Sequence, residues 1–419
     1  MTDSVSTDSH GGRKAAMSFI LIAVLIDMVS IGLIIPVLPP LVGTFASTPS
    51  EHTLAYLAVT FAFGIANFFG SPILGALSDR YGRRPVMLIG FSGLALSFFV
   101  TAAATALWML VAVRLLSGAM QANAAVANAY VADITAPEDR AKRFGMLGAA
   151  FGMGFILGPV LGGLLGDINL HLPFYVAGTL ALVNWAYGFF VLPESLAADH
   201  RRPFDWKTAN PVSALKKLTG LKGVGLLVGV IALSGLAQLV LHTSWVLYTG
   251  FKFGWGPKDN GLSLFAVGVM SVLVQGFLLP RLLKRFSAPR LVLMGLASAV
   301  LANLLWGAAS QGWMMYAVIV INVLGFAAST ALQSLISNAA DAKTQGQTMG
   351  AVASLNSVMA VLAPVIGSGL MYFVAELPKG DWRIGAPFYF CAVLQLCSLL
   401  IAWRHFSRLG QAQALPQTS

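Results

Sequence analysis

Apolar residues occur along this chain in long runs that are separated by short clusters of charged and turn-forming residues. About 20 consecutive apolar residues are needed for an α-helix to cross the hydrocarbon core of a bilayer. Twelve runs approach or exceed that length, so the pattern predicts twelve membrane-spanning helices. Their expected bounds are 17–42, 54–77, 86–105, 107–132, 143–165, 172–192, 223–250, 260–280, 290–309, 312–338, 346–373 and 385–403.

Composition excludes a soluble protein. Hydrophobic residues make up 57% of the chain and charged residues only 10%, with a mean hydropathy of +0.78. Soluble domains carry about 25% charged residues, and a water-facing surface cannot be built from so few. The fold class expected is an all-α membrane protein.

The connections between the runs are short, with one exception that divides the chain. We expect a cytoplasmic N-terminal tail at 1–16, a six-helix half at 17–192, a cytoplasmic linker at 193–222, a second six-helix half at 223–403, and a cytoplasmic C-terminal tail at 404–419.

The net charge of +10 is explained by its distribution. Most of the 26 Lys and Arg residues lie at alternate connections, on the side that also holds both termini. Only Lys252, Lys258, Lys379 and Arg383 fall on the other side. Cytoplasmic connections of membrane proteins carry this excess of Lys and Arg. We therefore expect a multi-pass protein of a bacterial-type inner membrane with both termini in the cytoplasm, and no binding of nucleic acid.

The two predicted halves repeat one another. Pro159 and Gly162 in the fifth run recur as Pro364 and Gly367 in the eleventh, at an offset of 205 positions. Repeats of this kind underlie membrane transport folds that work by alternating access.

The connection from Gly75 to Pro85 combines an acid, three arginines and two glycines. We expect Gly75 to allow close helix packing and Gly82 to adopt a turn conformation that a Cβ would resist. Asp79 with Arg80 and Arg83 can form an ion network on the cytoplasmic rim, one that breaks and re-forms as a gate. A basic loop that only sets the topology would need neither the acid nor the glycines.

This loop, Gly-x-Leu-x-Asp-Arg-x-Gly-Arg-Arg, resembles the loop signature of the major facilitator superfamily. Further stretches resemble the tetracycline-efflux branch of its drug:H⁺ antiporters: Asp27 to Pro39, Arg114 to Ala122, Tyr130 to Asp133, Leu192 to Ser195, and the glycines of the fifth run. The resemblance implies two pseudo-symmetric six-helix halves around a cavity, and a pairing of Arg83 with Asp133. It also implies proton-coupled export of small amphipathic molecules or drugs by alternating access.

Asp27 and Arg114 are the ionisable residues, other than histidine, that we place deep inside the runs. A charged residue there costs about 2.5–3.5 kcal/mol on insertion scales, and pairing of the two would offset part of that cost. We expect Asp27 to carry the coupled proton and Arg114 to modulate it. A static structural ion pair is the alternative.

The fifth run contains a glycine ladder with a proline. Small residues at four-residue spacing allow close helix contact, so Gly154, Gly158, Pro159 and Gly162 are expected to form the seam of a gate. Packing alone is the alternative.

Substrate residues are expected among the amides inside the apolar runs, some of which will only bond neighbouring helices. His242 and Trp245 share a helix face and are also candidates. The amides are Asn67, Gln121, Asn123, Gln238, Gln275, Asn303, Asn322, Gln333 and Asn356.

The resemblance has one departure. Further acids of the tetracycline exporters, in the third and ninth helices, fall here near Ser97 and Ala299, and neither run contains Asp or Glu. Tetracycline itself is therefore less well supported as cargo than the fold.

No nucleotide-binding loop, metal-ligand spacing or hydrolase elbow occurs. We expect no catalytic residue, metal or cofactor, a proton gradient as the energy source, and function as a monomer. Uptake by symport, facilitated diffusion, and a transport-inactive receptor or scaffold of the same fold are the alternatives.

Overall fold

The computed structural model describes residues 8–121, 123–206, 210, 225–339 and 345–414, which are helical almost throughout and contain no strand. The helices of the first part are α1 (Asp8–Ile34), α2 (Leu38–Gly43), α3 (Pro49–Tyr81), α4 (Arg83–Ala102), α5 (Leu107–Met120), α6 (Asn123–Ile134), α7 (Arg140–Ile168) and α8 (Leu172–Phe190). The later helices are α9 (Gly225–Phe253), α10 (Pro257–Leu273), α11 (Leu279–Arg285), α12 (Ala288–Ala308), α13 (Gly312–Ile321), α14 (Val323–Ala339), α15 (Gln345–Val374) and α16 (Ala386–Ala414).

The predicted spans have helical counterparts. The described residues contain ten helices long and apolar enough to cross a membrane, or eleven if the bent pair α13 and α14 counts as one span. The remaining predicted span, 172–192, forms the 19-residue helix α8, about 28 Å long at 1.5 Å per residue. Pro173 and Asn184 lower the hydropathy of that helix.

Several boundaries differ from the prediction. The first helix ends at Ile34 rather than near residue 42. Pro36 lacks an N–H, and a residue that precedes a proline avoids the α conformation. The chain therefore turns at 35–37, and Pro39 and Pro40 open the short helix α2. At the two ends, α1 begins at Asp8, inside the predicted tail, and α16 continues to Ala414.

Three further predicted spans are interrupted. The fourth breaks at Gln121, between α5 and α6, and the tenth bends by 49° at Asn322. The eighth contains a π-helical turn, Val274–Leu278, just before Pro280. Pro280 cannot donate the helical hydrogen bond that its position calls for, and π turns occur where the regular bonding of a helix is disturbed.

The chain forms two compact units. Unit 1 contains residues 1–45, 58–211 and 256–265, and unit 2 contains residues 46–57, 212–255 and 266–419. In unit 1, α1 packs on α7 and α8, and α4 packs on α8 and α5. In unit 2, α9 packs on α15 and α16, and α12 packs on α16 and α14. The same pairing in both units is what the sequence repeat predicts.

Candidate functional site

Arg83 lies at the start of α4 and bonds two carboxylates. Its Nη1 donates to Asp79 Oδ1 at 2.5 Å and to Ser78 Oγ at 2.7 Å, and its Nε donates to Asp133 Oδ2 at 3.1 Å. The Arg83 side chain is 10% exposed, against 46% for Asp79 and 21% for Asp133. A guanidinium with several fixed donors can bridge two acids in this way. The ends of α3, α4 and α6 are thus joined by one charged group, which we call the Arg83 network.

Glu194 closes the same region by capping α4. Gly82, the residue before that helix, has a φ of 108°, and a Cβ at this position would run into the Glu194 carboxylate. Glu194 Oε1 accepts the Arg83 backbone N–H at 2.8 Å, and Oε2 accepts that of Arg84 at 3.2 Å. The first N–H groups of a helix have no partner within the helix, and an anion is favoured beside them.

The beginning of the predicted linker is bound to this region. Ser195 Oγ donates to Asp133 Oδ2 at 3.1 Å, and the Tyr130 hydroxyl donates to the Pro193 carbonyl at 2.9 Å. Further along, the Arg202 N–H donates to the Asp79 carbonyl at 3.0 Å. The linker segment from 193 to 202 therefore contacts both acids of the Arg83 network or their backbone.

Two members of the predicted gate network, Arg80 and Gly75, take no part in the ion pairs of Arg83. Arg80 is exposed, and its guanidinium carbon lies 5.0 Å from the centroid of the Tyr81 ring. It forms no ion pair within the described part of the chain. A Cβ added to Gly75 would meet no described atom within 4 Å, so the close helix packing expected at Gly75 stays a prediction.

Asp27 lies inside α1 and is 4% exposed. Its Oδ1 accepts a hydrogen bond from Asn123 Nδ2 at 3.1 Å. Arg114 is 7% exposed, with its guanidinium carbon 5.9 Å from the Phe63 ring centroid. Among the described residues Asp27 has no ion pair, so the expected pairing with Arg114 is wrong for this structure. The break between α5 and α6 places a neutral amide, Asn123, against the acid instead.

The glycines of α7 separate into two groups. A Cβ at Gly158 would come within 2.5 Å of Gly32 Cα, one at Gly154 would overlap Met28, and one at Gly162 would overlap the Leu33 carbonyl. A Cβ at Gly148 or Gly152 would meet no atom of the described residues within 4 Å. The predicted seam of Gly154, Gly158, Pro159 and Gly162 is therefore a close contact with α1. Within unit 1, a Cβ at Gly261 of α10 would also come within 2.5 Å of the Pro159 carbonyl.

The substrate candidates differ in exposure. Gln238, His242, Gln275 and Asn356 are exposed, Asn67 and Gln121 are half-buried, and Asn123 and Asn303 are buried. Asn322 lies at the bend between α13 and α14, where its Oδ1 lies 3.3 Å from Ser298 Oγ. The Gln333 side chain lies outside the described residues.

Trp245 is buried within unit 2. It is 3% exposed, and its ring packs at 5.4 Å from Trp306 and 6.2 Å from Phe388, measured between centroids. His242 on the same helix is exposed, so burial separates these two candidates in this structure. Three positions correspond to about 300° of helical rotation, which is enough to turn Trp245 into the core of unit 2.

An apolar groove of about 290 Å³ lies between α1 and α7 in unit 1. Two methionines line it, Met146 and Met153, together with leucine, isoleucine and alanine side chains. Methionine adapts its shape to different partners and is frequent at promiscuous binding surfaces. The groove can therefore accept apolar groups of varied shape.

Reasoning from the sequence missed Glu194, Ser195 and Ser78. The stretch from Leu192 to Ser195 was recognised only as part of a likeness. Two signals could have identified Glu194. It is an acid just after an apolar run, and the predicted topology places it near the start of a helix that has no capping side chain of its own.

Comparisons with known proteins agree with this architecture. The family model described as Major Facilitator Superfamily matches residues 20–364. The chain is 37% identical to the class C tetracycline resistance protein of Escherichia coli, over 89% of this chain and 94% of that protein. It is 35% identical to the class D protein of Salmonella ordonez, over 91% and 95% respectively.

Solved structures show the same fold at low sequence identity. The human organic anion transporter MFSD10 (TETRAN) is 21% identical with a TM-score of 0.69, covering 93% of this chain and 99% of that one. The nucleoside transporter NupG is 14% identical with a TM-score of 0.73, covering 94% and 98%. The all-α fold predicted from the sequence is confirmed. Because the family model matches most of this chain, the chain belongs to the major facilitator superfamily and is a multi-pass membrane transporter, not an enzyme.

Proposed function

We propose that this transporter exports small amphipathic organic molecules and draws its energy from a proton gradient. Its relatives are named as tetracycline resistance proteins, which supports a drug or solute as the cargo. The observation that carries the proposal is the place of Asp27. It is a carboxylate deep in a membrane span, buried, and bonded to an amide rather than to a cation.

The hydrogen bond between Asn123 and Asp27 suits reversible protonation of the acid. A buried carboxylate without a paired cation is costly in its charged form. Asn123 can donate to the charged carboxylate and, with its oxygen, accept from the protonated one. Asp27 can therefore exchange a proton without leaving a neighbouring cation unpaired. Proton entry would favour return of the empty carrier, and substrate binding would favour proton release.

The Arg83 network supplies the element for alternating access in this proposal. The Arg83 guanidinium is 10% exposed and would be costly to leave without an acid partner, so we propose that the intact network favours one transport state. Its joints are hydrogen bonds and ion pairs between helix ends, which can re-form on the return step. In the same proposal, the close contact of Gly154, Gly158 and Gly162 with α1 limits leakage along that helix pair.

The residues that line the groove of unit 1 support the proposed cargo class. The methionine-lined groove of unit 1 takes apolar surface, and a single deep acid offers few ligands for a metal–tetracycline cation. Ser97, near which the likeness expects an acid, is a buried serine. We therefore propose amphipathic organic molecules in general. We further propose cytoplasmic termini in a bacterial-type inner membrane, no cofactor, and function as a monomer.

A susceptibility panel in an efflux-deficient bacterial host tests export. Cells that express the wild type are expected to tolerate at least one class of amphipathic antibiotic or dye at a concentration several-fold higher than control cells. The Asp27→Asn variant, expressed at the same level, is expected to give no protection. If neither protein protects against any compound, export is wrong and uptake by symport becomes the better reading.

A further inference from the structure

Asn184 is a fully buried amide in the interior of unit 1. It lies on α8 with 0% of its surface exposed, and its Nδ2 donates to the Ala23 carbonyl of α1 at 2.9 Å. Its other polar atom, Oδ1, is buried and accepts no hydrogen bond among the described residues. A buried amide oxygen without a donor is costly, and ordered water often supplies the missing bond. Asn184 Oδ1 therefore needs a donor that the described protein atoms do not supply.

A second buried oxygen lies one turn along the same helix. The Tyr187 hydroxyl oxygen is buried and also has no hydrogen-bond partner in the part of the chain that the structure describes. Tyr187 is three positions from Asn184, so the two side chains share a face of α8. That face packs on α1, because the Tyr187 ring lies 6.0 Å from the Phe19 ring, measured between centroids.

The surroundings of these two oxygens are apolar. The core cluster of unit 1 is built from apolar side chains of α1, α4, α6 and α7; Ala23 belongs to it, and Tyr187 packs against it. Most buried polar side-chain atoms have a hydrogen-bond partner, and apolar side chains of the same shape would pack here without that need. Packing alone therefore does not explain two oxygens in this interface.

Asn184 lies close to Asp27 along α1. The carbonyl that Asn184 bonds belongs to Ala23, which is four residues before Asp27 on the same helix. Residues at this spacing share a helix face and lie about 6 Å apart along the axis. The Asp27 side chain tilts toward the start of its helix, as helical side chains do, which brings the carboxyl group nearer to Ala23. One or two water molecules, at about 2.8 Å for each hydrogen bond, can span the distance that remains.

Tyr187 lies farther from the acid, toward the end of unit 1 that carries the Arg83 network. The Gly188 carbonyl, next to Tyr187, accepts a hydrogen bond from Arg84 Nε at 3.3 Å. Arg84 lies in the first turn of α4, directly after Arg83. The topology proposed above places this end at the cytoplasm. The two oxygens thus lie between the proposed proton site and the cytoplasmic rim.

The other titratable groups of these helices stand near the two ends of the unit. At the end of the Arg83 network they are Asp8, His10, Arg13 and Lys14 of α1, Arg83 and Arg84 of α4, Tyr130 and Asp133 of α6, and Arg140, Lys142 and Arg143 of α7; at the other end they are Asp167 of α7 and Tyr175 of α8. Among the described residues of these helices, Asp27 is the only carboxyl group between the two ends. A proton that moves along this interface therefore meets no competing carboxylate before the rim.

We propose that Asn184 and Tyr187 hold water molecules that carry the coupled proton between Asp27 and the cytoplasmic rim, along the interface of α1 and α8. The proposal rests on the proton-coupled export proposed above. On release, the Asp27 carboxyl group gives its proton to the first water, each water accepts one proton and passes one on, and the last delivers one proton to the cytoplasm. Asn184 and Tyr187 are positioning residues: the amide oxygen accepts from a water, the hydroxyl can donate and accept, and neither changes its own protonation state. Proton and substrate then need not share one route.

Radiolytic labelling of the purified protein tests the water. Hydroxyl radicals formed from bound water oxidise the side chain beside it, so a tyrosine that contacts such water is modified even against an apolar core. Asn184→Leu replaces the amide with an apolar side chain of similar size, and we expect it to lower the oxidation of Tyr187 at least threefold. Tyr130 is the control, because its hydroxyl donates to the Pro193 carbonyl, and its oxidation should stay the same. Unchanged oxidation of Tyr187 would overturn the water site.

Transport in proteoliposomes tests the proton path, with a compound taken from the susceptibility panel. Tyr187→Phe removes one hydroxyl and keeps the ring against Phe19. We expect Tyr187→Phe and Asn184→Leu to lower flux driven by a pH gradient at least fivefold and to leave counterflow at equal pH within twofold of the wild type. Tyr175→Phe is the matched control, because Tyr175 is an exposed tyrosine near the other end of α8, and it should keep both fluxes.

Two results would overturn the path. Equal loss of driven flux and counterflow would indicate a purely structural role for the two side chains, and unchanged driven flux in either variant would exclude that side chain from the path. A wild type without driven flux for any compound would instead contradict the proposed function, and the oxidation of Tyr187 would then decide the water site by itself.

Discussion

At the scale of single residues, Glu194 joins segments that lie far apart in the chain. Its carboxylate accepts the first two backbone N–H groups of α4 and those of Ser195 and Leu196. The partners Arg83 and Glu194 are 111 positions apart in the chain, which no local pattern reveals. The contact of Arg83 with Asp133, in contrast, was implied by likeness to a family. The sequence therefore predicted Asp79, Arg83 and Asp133 as members of this region, but neither Glu194 nor the geometry.

Removal of the Glu194 carboxylate should expose the start of α4. A lost helix cap costs roughly 1 kcal/mol, which corresponds to about a fivefold faster opening of the first turn. We expect Glu194→Ala to speed amide hydrogen exchange at Arg83 and Arg84 by about that factor. Glu138→Ala is the control, since Glu138 is an exposed acid that makes no hydrogen bond in the described structure. Similar exchange in both variants would contradict the capping role.

At the scale of elements, the positions of the helices were predictable and their interruptions were not. Twelve apolar runs correspond to helices because about 20 mostly apolar residues are enough for a helix to cross the bilayer core. The break at Gln121 and the bend at Asn322 depend on which backbone groups find partners, and apolar composition does not record that. The break at Gln121 also moved Asn123 against Asp27, so an expected ion pair was replaced by an amide contact.

The glycines of α7 provide an element-scale prediction with a built-in control. Gly158→Ala would bring a Cβ to 2.5 Å from Gly32 Cα, and overpacking against backbone costs about 1–3 kcal/mol. Gly148→Ala would meet no described atom within 4 Å and gains helix propensity, worth roughly 0.5–1 kcal/mol. We expect the first variant to lower the apparent Tm of the detergent-purified protein and the second to leave it equal or higher. A fall of equal size in both would contradict the seam.

At the scale of the whole molecule, the sequence repeat and the charge alternation carried the most information. Units 1 and 2 use the same helix pairings, as the offset of 205 positions implies. The fold hosts many cargos, however, and function has to be argued from the site. Asp27 could be singled out from sequence because it is an acid in an apolar run. The exposure of Gln238 and His242 needed the structure, because burial decides which candidate residues are accessible.

The orientation predicted from charge can be checked directly. In a cysteine-free background, Lys379→Cys is expected to react with a membrane-impermeant maleimide on intact cells. Arg201→Cys is expected to react only in inverted vesicles, because the positive-inside rule places the linker in the cytoplasm. The reversed pattern would invert the topology, and labelling of both variants from one side would contradict the five spans predicted between residues 201 and 379.

The central claim is that Asp27 couples proton movement to transport. We would measure it in proteoliposomes with a compound taken from the susceptibility panel, comparing flux driven by a pH gradient with counterflow at equal pH. The wild type is expected to show both. Asp27→Asn is expected to lose driven flux, since an amide cannot exchange the proton, and to keep counterflow. Driven flux unchanged in Asp27→Asn would contradict the account.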